Sequence, residues 1–160
     1  MPKLGGLMEE ISHLFDGPEY SFQSRPDDPI PNSCAGVYTI WEGERFLYVG
    51  IAGRDLSKPS KNKVRGLKQR LRTHWKGGLG GDQFAVYVFE RITAPQLKPP
   101  QLKAMGEGSL TLIELNQDYI QNRLSFRFIE TQNYARAMEI ENLLKKGEFQ
   151  NRPKPFLNPN

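Results

Sequence analysis

Two short apolar segments separated by a glycine-containing break constrain this chain most strongly. Residues 35–41 and 45–50 contain valine, tyrosine and other residues that favour β-strands. The break between them, residues 42–44, has a central glycine and the length of a tight turn. The pattern therefore predicts a β-hairpin. Each strand also carries a tyrosine two positions from a glycine, as GVY at residues 36–38 and as YVG at residues 48–50.

Length and composition exclude several classes of protein. A chain of 160 residues, 38% hydrophobic and 25% charged, can form one domain with a real core. It has no apolar run of the length that a membrane span needs, and its start lacks the pattern of a secretion signal. The single cysteine, Cys34, has no partner for an intramolecular disulfide, and we expect it to be a packed residue. We therefore expect a soluble, cytoplasmic protein without a membrane partner.

The remaining pattern predicts an α+β fold. The segments with the apolar spacing of helices are residues 7–15, residues 64–76, residues 133–146 and a stretch from Thr111, which is in capping-box spacing with Glu114. Two further segments, 83–92 and 124–130, alternate like strands. We therefore expect a small, mainly antiparallel sheet that begins with the hairpin and is flanked by helices. Residues 1–33 are expected to be an N-terminal arm, because four prolines interrupt their second half.

Charge is distributed unevenly along the chain. Residues 54–76 contain nine lysines and arginines and one acidic residue, a net charge of +8, whereas the rest of the chain carries −4. One basic segment on an otherwise acidic molecule is typical of a protein that binds a phosphate backbone. A solubilising surface loop is the alternative. The residues expected to contact nucleic acid are Arg54, Lys58, Lys61, Lys63, Arg65, Lys68, Arg72 and Lys76. Arg65, Lys68 and Arg72 are expected to point outward from a helix.

Arg70 and His74 occupy a special position on the helix predicted over residues 64–76. They are four residues apart, so they are neighbours on the flank of the apolar stripe that should face the sheet. A guanidinium group can bind two phosphate oxygens, and an imidazole can accept or return a proton. The pair therefore suits a phosphodiester substrate. A structural ion pair and a capping histidine are equally acceptable on these residues alone.

Glu141 is the acidic residue that stands out in the helix predicted over residues 133–146. Its helical position falls within the apolar arc, where a carboxylate is costly unless it is paired, protonated or bound to a metal. Glu139 falls on the opposite face and is expected to be solvated. One carboxylate, with water and phosphate oxygens in the other positions, is a typical Mg²⁺ site. A buried ion pair between Glu141 and Arg70 is the alternative.

Five elements together resemble the GIY-YIG nuclease family. They are GVY at residues 36–38, YVG at residues 48–50, GLKQR at residues 66–70 with His74 four positions later, the glutamate helix at residues 137–144, and PFLN at residues 155–158. The resemblance covers about residues 35–77 and 125–158, within a nuclease-like domain over residues 34–160. The loop before Arg70 is longer than in compact members, and about residues 78–124 look inserted. Another alignment would give the role of Glu141 to Glu139.

The resemblance implies a metal-dependent endonuclease that cuts DNA, expected to be double-stranded, with one Mg²⁺ or Mn²⁺ ion. Tyr38 would help to activate water, and Glu141 would hold the metal. The residues implied to position the water, stabilise charge or support the site are Tyr48, Arg70, His74 and Asn158. A tyrosine that acts as a base needs its pKa lowered from about 10, which a nearby cation can promote. A nucleic-acid-binding module that has lost catalysis is the rival hypothesis.

The resemblance leaves the biological role open. Restriction-like, mobile-element and repair roles are all compatible with it. DNA recognition could come from residues 78–124, from the N-terminal arm, from a homodimer or from a partner protein.

Overall fold

The computed structural model describes residues 4–159, and it is an α+β fold. Residues 1–3 and Asn160, which belong to the predicted arm and domain, lie outside the described residues. The helices are α1 (Leu4–Asp16), α2 (Leu67–Lys76), α3 (Gln83–Val88), α4 (Pro99–Gly106), α5 (Leu112–Arg123) and α6 (Tyr134–Lys146). The strands are β1 (Tyr20–Ser21), β2 (Ser33–Cys34), β3 (Gly36–Glu42), β4 (Arg45–Ala52), β5 (Arg65–Gly66) and β6 (Ser125–Glu130). After α3 the chain continues in a π-helical turn (Phe89–Thr93) and a 3₁₀ turn (Ala94–Gln96).

The predicted hairpin is confirmed as β3 and β4, and it forms the centre of the sheet. Gly43 supplies the positive φ of 57° that the turn requires. The main sheet has the order β1-β6-β3-β4 and is antiparallel throughout, while β2 and β5 form a separate parallel pair. Tyr38 lies opposite Gly50 in the hairpin register. The tyrosine of the GVY element and the glycine of the YVG element are therefore cross-strand neighbours.

Helices cover both faces of the main sheet. One core cluster includes Val37 on β3, Ile11 on α1 and Ile140 on α6. The other includes Tyr38 on β3 and Leu71 on α2, together with residues of α3 and α5. Because alternate residues of a strand point to opposite faces, Tyr38 faces α2. Helix α1, in the predicted N-terminal arm, is part of the core on the other face.

The segment 83–92 was predicted as a strand, and that prediction is wrong. It forms α3 and the π-helical turn. Its phenylalanine, valine and tyrosine residues favour strands by propensity, but the buried residues are Phe84, Ala85, Val88 and Ile92. This spacing is helical, and packing against the rest of the core outweighs the local preference.

Among residues 4–159, no helix is long and apolar enough to cross a membrane.

Helix α2 starts three residues later than the predicted start at residue 64. Gly66 has φ 69°, and it pairs with Cys34 in the short parallel sheet. A Cβ atom at Gly66 would overlap the carbonyl group of Cys34, so this pairing requires glycine. The close pairing delays the first helical turn to Leu67.

The segment after α6 docks on the free edge of β4, as its apolar residues predict. The backbone N–H of Leu157 donates to the carbonyl of Leu47 over 2.7 Å, and that of Phe156 donates to Phe46 over 3.1 Å. The guanidinium groups of Arg45 and Arg91 each lie 4.0 Å from the centre of the Phe156 ring. The docked segment therefore covers part of the β4 edge, although β4 remains the last strand of the sheet.

Candidate functional site

Three buried polar side chains form a hydrogen-bonded chain beside the hairpin. The hydroxyl of Tyr38 lies 2.6 Å from Nε2 of His74. Nδ1 of the same imidazole lies 2.9 and 3.0 Å from the two carboxylate oxygens of Asp82. All three residues are at most 2% exposed. Strand β3, helix α2 and the start of α3 each contribute one member.

Asp82 also fixes the start of α3. One of its carboxylate oxygens accepts hydrogen bonds from the backbone N–H groups of Phe84 and Ala85. These contacts make Asp82 the N-cap residue of the helix. The carboxylate is thus held in place by the backbone while it contacts His74.

The close approach of the Tyr38 phenol explains why a glycine, Gly50, lies opposite Tyr38 in the hairpin. A Cβ atom at Gly50 would overlap the hydroxyl group and the adjoining ring carbon of Tyr38. Glycine at this position lets the phenol lie across β4 and reach His74. The second tyrosine, Tyr48, packs with its ring centre 6.3 Å from that of Tyr38 and 6.1 Å from that of His74. The GVY and YVG elements therefore build one wall of the site.

A polar cavity of about 280 Å³ opens next to this wall. Its lining residues are Tyr38, Tyr48, Gly50, Ile51, Arg70, His74, Asp82, Gln83, Phe84, Tyr134 and Glu141. Five of the six residues predicted for catalysis or metal binding thus meet at one cavity. Arg70 is exposed at its mouth, whereas its neighbour His74 is buried.

A second cavity, of about 510 Å³, adjoins the first. Arg70, Ile51 and Tyr134 line both cavities. The basic residues Arg54 and Arg65 line the second one. The two cavities together form a cleft that passes Arg70 and leads into the basic segment.

Glu141 is the carboxylate on the α6 side of the cavity. Its side chain is 15% exposed, and its Oε1 lies 3.0 Å from Nζ of Lys145, one helical turn later. The alternative ion pair between Glu141 and Arg70 is absent from residues 4–159. Glu139 pairs instead with Arg136, and its side chain is 53% exposed. The helical positions predicted for the two glutamates are therefore observed.

Burial controls the protonation of the hydrogen-bonded chain. It lowers the pKa of His74 below the ordinary histidine value, against the hydrogen bond and charge of Asp82, which raise it. Burial also raises the pKa of Tyr38 well above its usual value, and the positive charge of Arg70 only partly offsets this. The pKa of Tyr48 is raised for the same main reason. The phenols and the imidazole are therefore neutral near pH 7. At rest, therefore, neither tyrosine has the lowered pKa that a phenolate base would need.

Asn158 lies outside the cavity lining and contacts β4 instead. Its side-chain oxygen accepts from the backbone N–H of Val49 over 2.8 Å, and its amide nitrogen donates to the Val49 carbonyl over 2.9 Å. Val49 is the residue between Tyr48 and Gly50. Asn158 therefore holds the strand that carries both residues and supports the site through the backbone.

Of the three residues expected to point outward from a helix, Arg65 lies on β5 before α2 begins, and the other two anchor the N-terminal segment. Lys68 is only 8% exposed, and its ammonium group donates to the side-chain oxygen of Asn32 over 2.8 Å. Arg72 pairs with Asp27 at 2.5 Å. The prediction that Lys68 is solvent-facing is wrong, because the N-terminal segment packs over this part of α2.

Two more residues of the basic segment are held within its own loop. Arg65 donates to the backbone carbonyls of Asp55 and Leu56, and Lys58 pairs with the Asp55 carboxylate at 2.8 Å. Besides Arg70, the basic residues of this segment that remain exposed are Arg54, Lys58, Lys61, Lys63 and Lys76. Fewer cations than predicted therefore face solvent.

The donor set is compatible with a metal site that has one protein carboxylate. Among residues 4–159, no three histidine, cysteine, aspartate or glutamate side chains lie together as a metal-binding group. Mg²⁺ keeps most of its water and needs few protein ligands. Glu141 borders a polar cavity beside Arg70, so its carboxylate fits such an ion, in competition with Lys145.

Asp82 is the site residue that the sequence interpretation missed. The strand propensity of the segment after Asp82 conceals the helix start that this residue caps. The signal that could have identified it is an aspartate directly before a run whose apolar residues repeat every three to four positions.

Comparisons with known proteins give no match for this chain: no family model, no curated protein and no solved structure matches it. The geometry of the cavity and the sequence pattern are therefore the basis for its functional interpretation.

Proposed function

We propose that this protein is a metal-dependent endonuclease of the GIY-YIG type that hydrolyses phosphodiester bonds in double-stranded DNA. The observation that carries the proposal is the meeting of Tyr38, Tyr48, Arg70, His74 and Glu141 at one polar cavity. These residues come from four elements, β3, β4, α2 and α6, and α6 is far from the other three in the sequence. A shared cavity is expected if they act on one substrate group.

Four of these residues act directly on the phosphate, the water or the metal in this proposal. Arg70, exposed at the mouth, binds the nonbridging oxygens of the phosphate and offsets the charge that grows there during attack. Tyr38 and Tyr48 orient the attacking water, and Tyr38 takes up its proton. Glu141 would hold one Mg²⁺ or Mn²⁺ ion, which would supply further positive charge at the phosphate.

The surrounding charge supports a nucleic acid as the substrate. The cleft leads past Arg70 to Arg54 and Arg65 in the second cavity. Exposed lysines of the same segment, Lys61 and Lys63, extend the positive surface. Such a surface favours a polyanion over a small neutral substrate.

Plasmid cleavage tests the proposal. Purified protein should nick or cut supercoiled plasmid in the presence of Mg²⁺ or Mn²⁺. R70A and E141A should lose activity by about 100-fold or more, because each removes a group that stabilises charge in the transition state. E139A is the matched control, since Glu139 lies on the same helix but faces solvent. It should cut at the wild-type rate.

The outcomes separate the alternatives. Undiminished cleavage by both R70A and E141A would contradict the assigned site. Wild-type protein that binds DNA but cuts none of several substrates with either metal would favour a binding module without catalysis. Sequencing the product ends from a mixed DNA library would report the strand pattern and any site preference.

A further inference from the structure

We propose that Asp82 is a positioning residue of the site, and that Tyr38, His74 and Asp82 form a proton relay that leads from the cavity into the protein. The proposal rests on the proposed nuclease function and adds to it the route of the proton. It also assigns a site role to the start of α3, within the segment that looked inserted.

The hydrogen bonds fix the direction of the relay. A carboxylate can only accept hydrogen bonds, and the Asp82 oxygens already accept from two backbone N–H groups of α3. Nδ1 of His74, at 2.9 and 3.0 Å from these oxygens, must then carry the ring hydrogen. In the neutral ring this leaves Nε2 as an acceptor, so the Tyr38 hydroxyl donates to it over 2.6 Å.

This direction gives Tyr38 a way to act as a base while its phenol stays protonated at rest. As an O–H bond of the attacking water breaks, the phenol oxygen takes up that proton and its own proton moves to Nε2 of His74. The water oxygen bonds to phosphorus, the bond from phosphorus to the leaving sugar oxygen breaks, and that oxygen takes a proton from solvent. Nothing is oxidised or reduced. The imidazolium that forms is stabilised by the negative charge of Asp82.

The surroundings keep the relay in place and separate it from water. The ring of Phe84 lies 4.7 Å from the His74 ring and 5.1 Å from the Tyr48 ring, measured between centres. The same Phe84 donates its backbone N–H to Asp82. The other charged or titratable groups at this cavity are Tyr48, Arg70, Tyr134 and Glu141. The low pKa that burial gives to His74 agrees with a neutral acceptor at rest.

Two substitutions test the relay while they retain a helix cap. In D82N the amide oxygen can still cap α3, but the amide NH₂ group would donate to Nδ1 of His74. The ring hydrogen then moves to Nε2, which can no longer accept from Tyr38. In D82S the hydroxyl remains an acceptable N-cap, but no carboxylate faces the imidazole. Thermal unfolding of both variants checks that the fold is retained.

Kinetics and NMR spectroscopy give independent measurements. We expect kcat for plasmid cleavage to fall by about 10²–10⁴-fold in both variants, the range of general acid–base catalysis, with little change in KM. The chain has two histidines, so an H13Q variant assigns the ¹⁵N signals of His74. We expect the Nδ1–H tautomer in the wild type and the Nε2–H tautomer in D82N.

The results distinguish the relay from the proposed function. Wild-type kcat in a folded D82N, or an Nε2–H tautomer in the wild type, would overturn the relay and leave the nuclease assignment standing. A wild-type protein with the expected tautomer that cuts no DNA would overturn the nuclease function, and the relay with it, while the hydrogen-bond order would remain.

Discussion

Gly50 offers a direct test of how the hairpin is built, because an added methyl group would overlap the Tyr38 phenol. The ring cannot easily move away, since it is 2% exposed and hydrogen-bonded to His74. G50A should therefore cost about 1–3 kcal/mol from overpacking and about 1 kcal/mol from the weakened hydrogen bond. Relief of glycine's backbone entropy returns about 0.5–1 kcal/mol. We expect a net loss of about 1–3 kcal/mol in the free energy of unfolding.

Equilibrium urea unfolding of a double-mutant cycle measures this cost and its origin. Y38A removes the phenol and should itself cost about 3–5 kcal/mol, as for other large buried side chains. In the Y38A background the methyl group of G50A meets no ring, so its cost should vanish. G78A is the control, because Gly78 has no atom within 4 Å of an added Cβ. It should change stability by less than about 0.5 kcal/mol.

Two results would refute this reasoning. One is a G50A cost no larger than that of G78A. The other is an equal G50A cost with and without the Tyr38 phenol, because that would place the strain elsewhere in the hairpin.

Three further predictions concern the tail, pH and salt. N158A should cost about 1–3 kcal/mol in urea unfolding because it leaves the Val49 backbone groups without their partners, whereas a comparable loss in the exposed control N142A would contradict this role. Since the pKa of His74 is lowered in the folded protein, the unfolded state takes up the proton first, and stability should fall as pH drops below about 6.5. The H13Q variant should keep this loss of stability below about pH 6.5, and the H74Q variant should remove it. Equal pH dependence in the two variants would contradict the assignment to His74. DNA binding measured by fluorescence anisotropy should weaken as salt is added. A plot of the logarithm of the binding constant against the logarithm of the salt concentration should have a slope of about −4.5 for roughly five phosphate contacts. A flat plot would exclude the basic segment from the interface.

The parts of the fold that could be predicted are those governed by local rules. The hairpin follows from strand propensity and a glycine turn. The start of α5 follows from a capping box, in which the Thr111 hydroxyl accepts from the backbone of Glu114 and the Glu114 carboxylate accepts from Thr111. The placement of Glu141 and Glu139 on different faces of α6 follows from helical geometry alone. In these cases the residues that decide the structure lie within a few positions of one another.

The failures depend on distant partners. Lys68 lies within a basic segment, but its ammonium group is bound by Asn32, 36 residues earlier. The segment 83–92 has strand propensity, but its helix is stabilised by burial of one face against α2 and α5. Asp82 belongs to the site only because its helix starts beside His74. The helical spacing after Asp82 is a local signal for α3, but no local pattern shows that this helix starts beside His74 or that Asn32 binds Lys68.

The docking of residues 156–158 on β4 has a consequence for how the protein is made. An edge strand with unpaired backbone groups can pair with other chains and start aggregation. The partner of Val49 lies 109 residues later in the chain, so at about 5–20 residues per second this edge stays open for roughly 5–20 s after β4 is synthesised. A chain that stops short of residue 156 would keep the edge open permanently. Such truncated chains should accumulate as insoluble material, although they retain every residue that lines the cavity.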